Sequence, residues 1–383
     1  MDPTKFGSNT FGTVVKTPGR FGFHTFLPAP LPRSLALDET TVQVLSEADR
    51  AIGRLAGAGR LLPNPHLLVN AYITREAVAS SRIEGTQATV SDVFEATSGG
   101  EVGGDVREVV NYIRALNTGL ARLATLPISR RLVEEIHAVL MAGVRGQERD
   151  PGNIRRSPNW IGGQNPETAV FVPPPVEEME QGLSDWEHFV NEELLMPPLV
   201  RCALLHYQFE TLHPFLDGNG RLGRLLIIFF LMSEQHLPAP LLYVSGYFDA
   251  NKNEYYDRLQ AVRERGSVQE WLQFFLHGVA VQANDAIRRA EELTDIRERH
   301  RELLRGSRSR AHEIVDSLLQ NPYVSTTSVV QLLAVTNQGA TNLLRQLEAA
   351  GILEPARRIP GRANRWVAPE ILRVLSAGES EAA

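Results

Sequence analysis

Residues 213–224 read HPFLDGNGRLGR and place a histidine, an aspartate, a Gly-Asn-Gly turn and two arginines within one short stretch. A glycine-rich turn that leads into a helix presents backbone N–H groups at the positive end of the helix dipole, where phosphate binds well. Arg221 and Arg224, three positions apart, are expected on the first turn of that helix, where cations are unfavourable unless an anion accompanies them. The stretch therefore predicts a polyphosphate site.

The acid and the histidine of this stretch suggest how such a polyphosphate is used. Asp217 directly precedes the turn. A carboxylate beside a phosphate is repelled unless a cation lies between them, and the hard cation that suits both is Mg²⁺, so Asp217 is the predicted metal ligand. His213 closes the preceding helix. It is predicted as a general base rather than a metal ligand, because no second histidine or further acid lies nearby in the sequence.

The whole stretch resembles the signature of Fic domain proteins, HPFx(D/E)GNGRxxR, at every defined position. The resemblance implies an all-α core that transfers AMP from ATP to a Tyr, Thr or Ser hydroxyl of a target protein, or of itself, and releases pyrophosphate. It assigns the catalytic base to His213, Mg²⁺ to Asp217 and the γ-phosphate to Arg224. The other ATP-binding positions it implies are Gly218, Asn219, Gly220, Arg221, Leu222 and Gly223.

Two further stretches fit this resemblance. Similar proteins supply an aromatic ring to adenine near the position of Asn251–Tyr256, and Tyr256 is the candidate here, with a plain core tyrosine as the alternative. Residues 159–175, NWIGGQNPETAVFVPPP, predict a β-hairpin because two apolar runs flank a Gly-Gly and Asn-Pro turn region. The hairpin resembles the family's flap, at which a target segment docks by strand addition. A surface hairpin without such a role is the alternative.

The segment Ser80–Gly85 is expected to close a helix that begins near Asn64-Pro65. Glu84 is unfavourable there, because an acid in the last turn faces the negative end of the dipole. The residues Ser80, Glu84 and Gly85 resemble the inhibitory motif (S/T)xxxE(G/N) of many Fic proteins. The resemblance implies that Glu84 pairs with Arg224 and keeps it from the γ-phosphate. In some members the glutamate also supports removal of AMP.

The elements that position these residues are mostly helical. The first thirty residues are rich in Gly and Pro and are expected to be irregular or extended. Asp38 is a predicted N-cap, and the apolar spacing that follows is typical of helices. The predicted helices after the one that ends near Gly85 are 106–123, 129–141, 176–194, 199–212 and 222–235. The signature therefore lies in a loop between two apolar helices.

From about Ala311 the pattern indicates three short helices, 311–320, 326–333 and 338–349, with Ser325 as a cap and Gly351 as a stop. A hairpin with Pro360-Gly361 at its turn follows. This order is that of a winged helix-turn-helix, whose wing would carry the arginines Arg357, Arg358, Arg362 and Arg365. DNA contact is one interpretation. Protein contact is the alternative, because the second and third helices offer only Arg345 as an evident DNA partner.

The bulk composition is that of a globular protein, with 383 residues, 43% of them hydrophobic, and a net charge of −6. Residues 296–383 hold twelve arginines and nine acids, a weak indication of a segment that faces nucleic acid. The single cysteine, Cys202, excludes an intramolecular disulfide and a cysteine-built zinc site. The polar N-terminus is unlike a signal peptide, and the longest apolar run is too short to span a membrane. A cytoplasmic protein is expected.

The sequence thus predicts a mainly α protein in three parts. These are an N-terminal helical region with the inhibitory motif (1–125), a Fic-type core with a small hairpin flap (126–295), and a winged helix-turn-helix domain with a short tail (296–383). The function expected is self-inhibited AMP transfer. The alternatives are a DNA-binding regulator with a nucleotide-sensing core, and transfer of another nucleotide such as UMP. The partners considered are a target protein at the flap, a second copy of the chain, and DNA, with no membrane.

Overall fold

The computed structural model describes residues 1–7, 9–18, 22–61, 66–99, 102–306, 309–357 and 364–378. As the apolar periodicity predicts, these residues are mainly helical. The helices of the first part of the chain are α1 (Glu39–Leu61), α2 (His66–Ile83), α3 (Val90–Thr97), α4 (Gly104–Leu123), α5 (Arg130–Leu140), α6 (Val176–Asn191), α7 (Pro198–Leu212) and α8 (Asn219–Ser233). The later helices are α9 (Ser245–Ala250), α10 (Lys252–Arg265), α11 (Val268–Leu303), α12 (Ala311–Leu318), α13 (Thr326–Leu333), α14 (Asn337–Ala349) and α15 (Pro369–Ser376).

Two small antiparallel sheets accompany the helices in the described chain. The first is a hairpin of β1 (Gly12–Lys16) and β2 (His24–Pro28), preceded by a 3₁₀ turn at Pro3–Lys5. The second has the strand order β3-β5-β4, with the strands β3 (Tyr323–Ser325), β4 (Glu354–Pro355) and β5 (Arg365–Val367). The N-terminal region was expected to be extended or irregular. The extended alternative is confirmed, because its β-branched and aromatic residues form two strands, and what the glycines and prolines around them had concealed is that these strands pair in a hairpin.

The chain divides into two compact units. The first comprises residues 1–53, 111–238 and 244–282, and the second comprises residues 54–110, 239–243 and 283–383. Each unit is assembled from segments that are distant in the sequence. The three contiguous domains expected from the sequence stay a prediction. The two units are defined by contacts within the fold and not by consecutive stretches of sequence, so they do not test those boundaries.

The core of the first unit is built around α7 and α8, which are buried along almost their whole length. Both helices are predominantly apolar, which is the pattern of a helix enclosed by others, and the polar residues they carry are mostly buried with them. Two indole N–H groups are satisfied by carbonyls of α7, since Trp186 Nε1 donates to Leu205 O at 2.9 Å and Trp271 Nε1 donates to Ala203 O at 3.0 Å. The loop between α7 and α8 is thus supported by an ordered core.

Residues 159–175, which we call the flap, are less regular than the predicted hairpin. Within the flap, Ile161 pairs with Phe171 in a single antiparallel bridge. The three prolines at its end have no N–H to donate, so strand pairing cannot continue there. The N-terminal hairpin packs on the flap instead, with Phe26 N donating to Val172 O at 3.0 Å. The flap is therefore anchored by a strand that precedes it in the chain.

The second unit holds the C-terminal elements. The three predicted helices are confirmed as α12, α13 and α14, and the Ser325 side chain caps α13 by accepting from Ser328 N. The turn at Pro360-Gly361, with Arg358 and Arg362, lies outside the described residues. Helix α15 was not predicted, because its eight residues give too short an apolar pattern to separate from the preceding strand.

One predicted wing residue is oriented differently from the expectation. Arg365 was expected to be on the wing surface, but its side chain is buried and pairs with Glu95 of α3 at 2.6 Å. Further hydrogen bonds join α3 to β3, among them Ser91 Oγ with the hydroxyl of Tyr323 at 2.9 Å. The surface prediction is wrong for Arg365, because this guanidinium is used to pack the sheet against α3. Arg357 is exposed, as predicted.

A membrane-crossing helix would need a long apolar stretch, and none of the helices described has one.

Candidate active site

The loop at the start of the signature stretch is bounded by two residues with left-handed backbone conformations. His213 is the C-cap of α7, with φ 48° and ψ 60°, and Gly218 is the N-cap of α8, with φ 75°. The side chain of Asn219 closes the loop, because its Oδ1 accepts from Phe215 N at 2.9 Å and its Nδ2 donates to Phe215 O at 2.8 Å. The loop is therefore held in shape by its own asparagine.

Helix α8 begins earlier than predicted. Asn219 and Gly220 belong to its first turn, so the turn proper is at Asp217-Gly218. The expectation that both arginines lie on the first turn is confirmed for Arg221 and wrong for Arg224, which lies on the second turn. The reason is the pair of hydrogen bonds between the Asn219 side chain and the Phe215 backbone. These bonds close the loop, so helical geometry starts immediately after Gly218.

Glycine at position 218 is required by conformation and by space. Its φ of 75° lies in the left-handed region, which residues with a Cβ rarely adopt. A Cβ there would also lie 2.7 Å from Met141 Sδ and 3.3 Å from His137 Nε2. The backbone of the turn is therefore free of side-chain bulk on the side that approaches α5.

The two arginines of the signature are both buried, with 2% exposure for Arg221 and 0% for Arg224. Arg221 lies near Met141 Sδ at 3.4 Å and near Asp217 Oδ1 at 3.8 Å. Burial of two guanidiniums near the positive end of one helix is electrostatically unfavourable, and an anion in the turn would offset it. Between them, Leu222 is core and Gly223 gives α7 room, since a Cβ there would lie 2.4 Å from Glu210 Oε1.

Asp217 is the one predicted metal ligand, and its side chain is 42% exposed. Its Oδ1 accepts from Gly218 N at 2.6 Å. Among the described residues, no group of three or more His, Cys, Asp or Glu side chains is arranged so that it could hold a metal ion. A single accessible carboxylate beside the predicted phosphate site fits Mg²⁺, which commonly uses one or two carboxylates together with substrate phosphates and water.

His137 of α5 supports the turn and was missed by the sequence analysis. Its Nδ1 accepts from Gly152 N at 2.8 Å, so its proton lies on Nε2, which donates to Asp217 O at 3.0 Å. Burial lowers the pKa of His137 to about 4, which keeps the ring neutral. The sequence did offer one signal for this role, because His137 lies on the apolar face of a predicted amphipathic helix, a position that favours burial.

Arg155 and Asn159 lie under the same loop and were also missed. Arg155 Nε donates to His213 O at 3.0 Å, and Asn159 Nδ2 donates to Phe215 O at 3.0 Å. Burial lowers the pKa of Arg155 to about 10. The sequence shows Arg155 beside Arg156, and nothing in the pattern separates the buried arginine from the exposed one.

Tyr256, the adenine candidate, is 43% exposed, whereas its neighbour Tyr255 is buried. The Tyr255 hydroxyl donates to His206 Nε2 at 2.8 Å, and His206 Nδ1 donates to Gly223 O at 3.0 Å. This chain of hydrogen bonds connects α10 with α8 through α7. The ring of Tyr256 is partly exposed and also packs against Tyr255, with ring centroids 5.2 Å apart, so its role as the adenine contact stays a prediction.

The buried ring of His206 predicts a loss of stability in acid. Burial lowers the pKa of His206 to about 3, whereas the pKa of a histidine in the unfolded chain is about 6.5. Between these two values the unfolded chain binds a proton at His206 and the folded chain does not, so the free energy of unfolding decreases as the pH is lowered. Between pH 7.0 and 5.5 we expect His206 to account for about 1 kcal/mol of the fall in unfolding free energy.

Urea unfolding followed by tryptophan fluorescence at the two pH values measures this contribution. His206→Gln should reduce the fall by that amount, and His188→Gln, on the exposed surface of α6, is the matched control. An identical fall in wild type and His206→Gln would contradict the prediction.

The residues of the predicted inhibitory motif lie at the end of α2. Ser80 is buried within the helix, which ends at Ile83, so Glu84 lies in the turn that follows. Gly85 has a φ of 97°, a conformation that glycine permits at a helix end. Glu84 is partly buried. The pairing of Glu84 with Arg224 stays a prediction.

Comparison with protein families identifies two regions of the chain. Residues 42–121 match the model described as Fic/DOC family N-terminal, and residues 127–231 match the model described as Fic/DOC family. The signature stretch, α5 and the flap all lie within the second match. The first match includes α2 and the motif at its end.

Similar proteins carry the same family name. A protein adenylyltransferase Fic of Culex quinquefasciatus is 31% identical over 142 residues, which are 37% of this chain and 25% of that protein. A protein of the same name from Aedes aegypti is 30% identical over 149 residues, which are 38% of this chain and 27% of that protein. The chain thus matches about a quarter of the length of these curated relatives.

A solved structure shares the fold. The crystal structure of a Fic family protein from Desulfovibrio desulfuricans G20 aligns with a TM-score of 0.58 at 22% identity, over 87% of this chain and 97% of that one. The chain therefore carries Fic/DOC family sequence at residues 42–121 and 127–231, and it shares its fold with this Fic family protein.

Proposed function

We propose that this protein is a protein adenylyltransferase that moves AMP from ATP to a Tyr, Thr or Ser hydroxyl of a target protein, and of itself. The observation that carries the proposal is the loop between α7 and α8. It combines His213, the left-handed Gly218 and two buried guanidiniums at the start of one helix. The names of the similar insect proteins support the same activity.

In the proposed reaction the phosphates lie on the turn at Gly218 and on the N-terminal end of α8. Arg221 and Arg224 hold two of the phosphates. The target hydroxyl gives its proton to the His213 imidazole as its oxygen bonds to the α-phosphorus, and the bond from that phosphorus to the bridging oxygen breaks to release pyrophosphate. Bound Mg²⁺ at Asp217 would offset charge on the phosphates. Positioning and charge supply most of the catalysis.

The flap is the proposed docking place for the target. Its residues Trp160 and Val170 are exposed, with 42% and 62% exposure, although both are apolar. An extended target segment that pairs beside Ile161 would cover these side chains. Exposed Tyr256 on α10 is the proposed adenine contact. A turn that binds phosphates reads no base, so another nucleotide such as UMP stays an alternative.

Labelled nucleotides test the proposal directly. With Mg²⁺ present, label from the α-phosphate of ATP should become bound to protein, and label from the γ-phosphate should appear only in pyrophosphate. Parallel reactions with UTP distinguish AMP from UMP transfer. Label from the γ-phosphate on protein would instead show phosphate transfer, and label from neither position, in wild type and in Glu84→Gly alike, would overturn the proposal.

We further propose that the enzyme inhibits itself through Glu84. A carboxylate that pairs with the Arg224 guanidinium competes with the γ-phosphate and repels it, so ATP would bind with its α-phosphate out of line for attack. The location of Glu84, directly after α2 and partly buried, supports this role. Removal of AMP through a water activated by the same carboxylate is a secondary proposal.

We infer that α12, β3, α13, α14, β4 and β5 form a winged helix-turn-helix, since their order and the β3-β5-β4 sheet are those of that motif. The exposed face of α14 carries side chains that can read base edges: Asn337, Gln338, Asn342 and Arg345. These favour a DNA-binding regulator as the alternative function. The burial of Arg365 argues against a basic wing. Gel-shift binding with steep salt dependence would support the regulator.

A further inference from the structure

Arg155 makes an unusual set of contacts within the first unit. Its guanidinium donates to four backbone carbonyls: Nε to His213 O at 3.0 Å, one Nη to Ser157 O at 3.2 Å, and the other Nη to Pro174 O at 2.5 Å and Leu212 O at 3.4 Å. Its own backbone N–H also donates to Pro214 O at 2.9 Å. One residue therefore binds both the loop that carries His213 and the end of the flap.

The charge of Arg155 is held in the interior by carbonyl dipoles alone. The residue is 2% exposed, and all its described partners are carbonyl oxygens. A buried cation without a carboxylate is unfavourable unless dipoles compensate it. Two of these dipoles belong to the C-terminal end of α7, where cations are favoured. A planar guanidinium can serve several acceptors in fixed directions, which a lysine ammonium cannot do.

The backbone that Arg155 binds is strained. His213 has a positive φ, which for a residue with a Cβ is unfavourable by about 1 kcal/mol or more. Such a conformation persists only where its surroundings fix it. Arg155 binds the carbonyl of His213 from one side, and Asn159 Nδ2 approaches the same oxygen at 3.4 Å. The direction of the His213 side chain depends on this conformation.

The contacts of Arg155 also include the flap. Pro174 is the penultimate residue of the flap, and its carbonyl accepts the shortest of the Arg155 bonds. Asn159, the first flap residue, binds the same loop through Phe215 O. Both ends of the flap are thus tied to the His213 loop, and Arg155 is the residue that joins its end to the His213 carbonyl.

We propose that Arg155 is a positioning residue that fixes the proton-accepting His213 relative to a target segment held on the flap. This inference rests on the proposed function, because it gives Arg155 a role in that reaction. Arg155 touches neither the phosphates nor the target hydroxyl. Its effect is therefore on the rate of transfer once ATP is bound rather than on ATP affinity.

The test compares Arg155→Lys and Arg155→Gln with Arg156→Lys, all in a Glu84→Gly background. Lysine keeps the positive charge but can reach only some of the four carbonyl oxygens that Arg155 binds. If Arg155→Gln does not fold, Arg155→Lys therefore still tests the inference. Arg156 is the matched control because it is the adjacent arginine and is exposed. Self-modification with labelled ATP gives the rate constant at saturating ATP and the half-saturating concentration, and calorimetry gives the affinity for Mg-ATP.

We expect Arg155→Lys to lower the rate constant at saturating ATP by about tenfold or more, since misplacement of a reacting group by about 1 Å has effects of that size. The affinity for Mg-ATP should change by less than about twofold, and Arg156→Lys should match its parent. An unchanged rate constant would overturn the inference. So would a fall in rate matched by an equal loss of ATP affinity, because that result indicates general loosening.

A second measurement separates this inference from the proposed function. In ligand-free protein with labelled histidine, the ring signals of His213, assigned by the loss of one signal in His213→Gln, should shift in Arg155→Lys and stay in place in Arg156→Lys. This needs no transfer activity. Unmoved His213 signals overturn the positioning role even if transfer occurs. Absence of any transfer in the Glu84→Gly parent overturns the proposed function, while shifted signals still support the positioning role.

Discussion

His213→Ala is expected to lower AMP transfer by about two to four orders of magnitude, the usual contribution of a positioned general base. The target hydroxyl must lose its proton as it attacks the α-phosphorus, and no water at neutral pH replaces the imidazole effectively. His213 follows α7 directly and turns into the loop through its positive φ. The substitution removes the base while the Gly218 turn and both arginines remain.

Mg-ATP affinity is the control for this variant. It should stay within about threefold of wild type by calorimetry, because the phosphate contacts come from the turn and from α8. His188→Ala, on the exposed surface of α6, should transfer AMP as wild type does. Transfer at the wild-type rate without His213 would show that the base is another group. Loss of ATP binding together with transfer would show that the loop itself had collapsed.

Glu84→Gly is expected to raise self-modification and target modification by about ten- to a hundredfold. A coupling free energy between two sites is typically about 1–3 kcal/mol, and removal of the competing carboxylate should release about that amount. With Arg224 available to the γ-phosphate, the α-phosphate would be in line for attack. Glycine after the end of α2 perturbs the helix little, since Ile83 is its last residue.

Two further substitutions distinguish the loss of charge from a change in chain flexibility. Glu84→Gln removes the charge and keeps the size, so it should activate as well. Gln87→Gly adds a glycine at an exposed position three residues on and should not activate. Glu84→Gly combined with Arg224→Ala should lose the gain. If Gln87→Gly activated equally, or if Glu84→Gly incorporated no more label than wild type, self-inhibition through this carboxylate would be wrong.

Local chemistry let the sequence predict most helices closely. Asp38 accepts from Thr41 N at the start of α1, as predicted, and the helix predicted at 129–141 is α5, with Ser129 as its cap. The apolar runs of α7 and α8 were also recognised, because a helix enclosed by others is predominantly apolar. The N-terminal segment was expected to be irregular or extended, but its pairing into a hairpin was not predicted, and neither was its contact with Val172, which lies far along the chain.

The flap and the wing show where local pattern was insufficient. The flap had the composition of a hairpin and formed a single bridge, because its prolines cannot donate and Phe26 satisfies Val172 O instead. Arg365 had the composition of a surface wing and became buried against Glu95. In both places the structure depended on a contact with a residue distant in the sequence, and the spacing of apolar residues carries no information about such contacts.

The amino-acid sequence by itself determined the chemistry of the signature loop. His213, Asp217, Gly218 and the two arginines lie together because they are nearly contiguous, and a turn before a helix exposes N–H groups wherever it occurs. Tertiary structure decided which residues from outside the stretch support that loop. Arg155 and His137 reach His213 and Asp217 from 58 and 80 residues away. Their roles depend on burial and direction, which arise only when separate segments pack into one core.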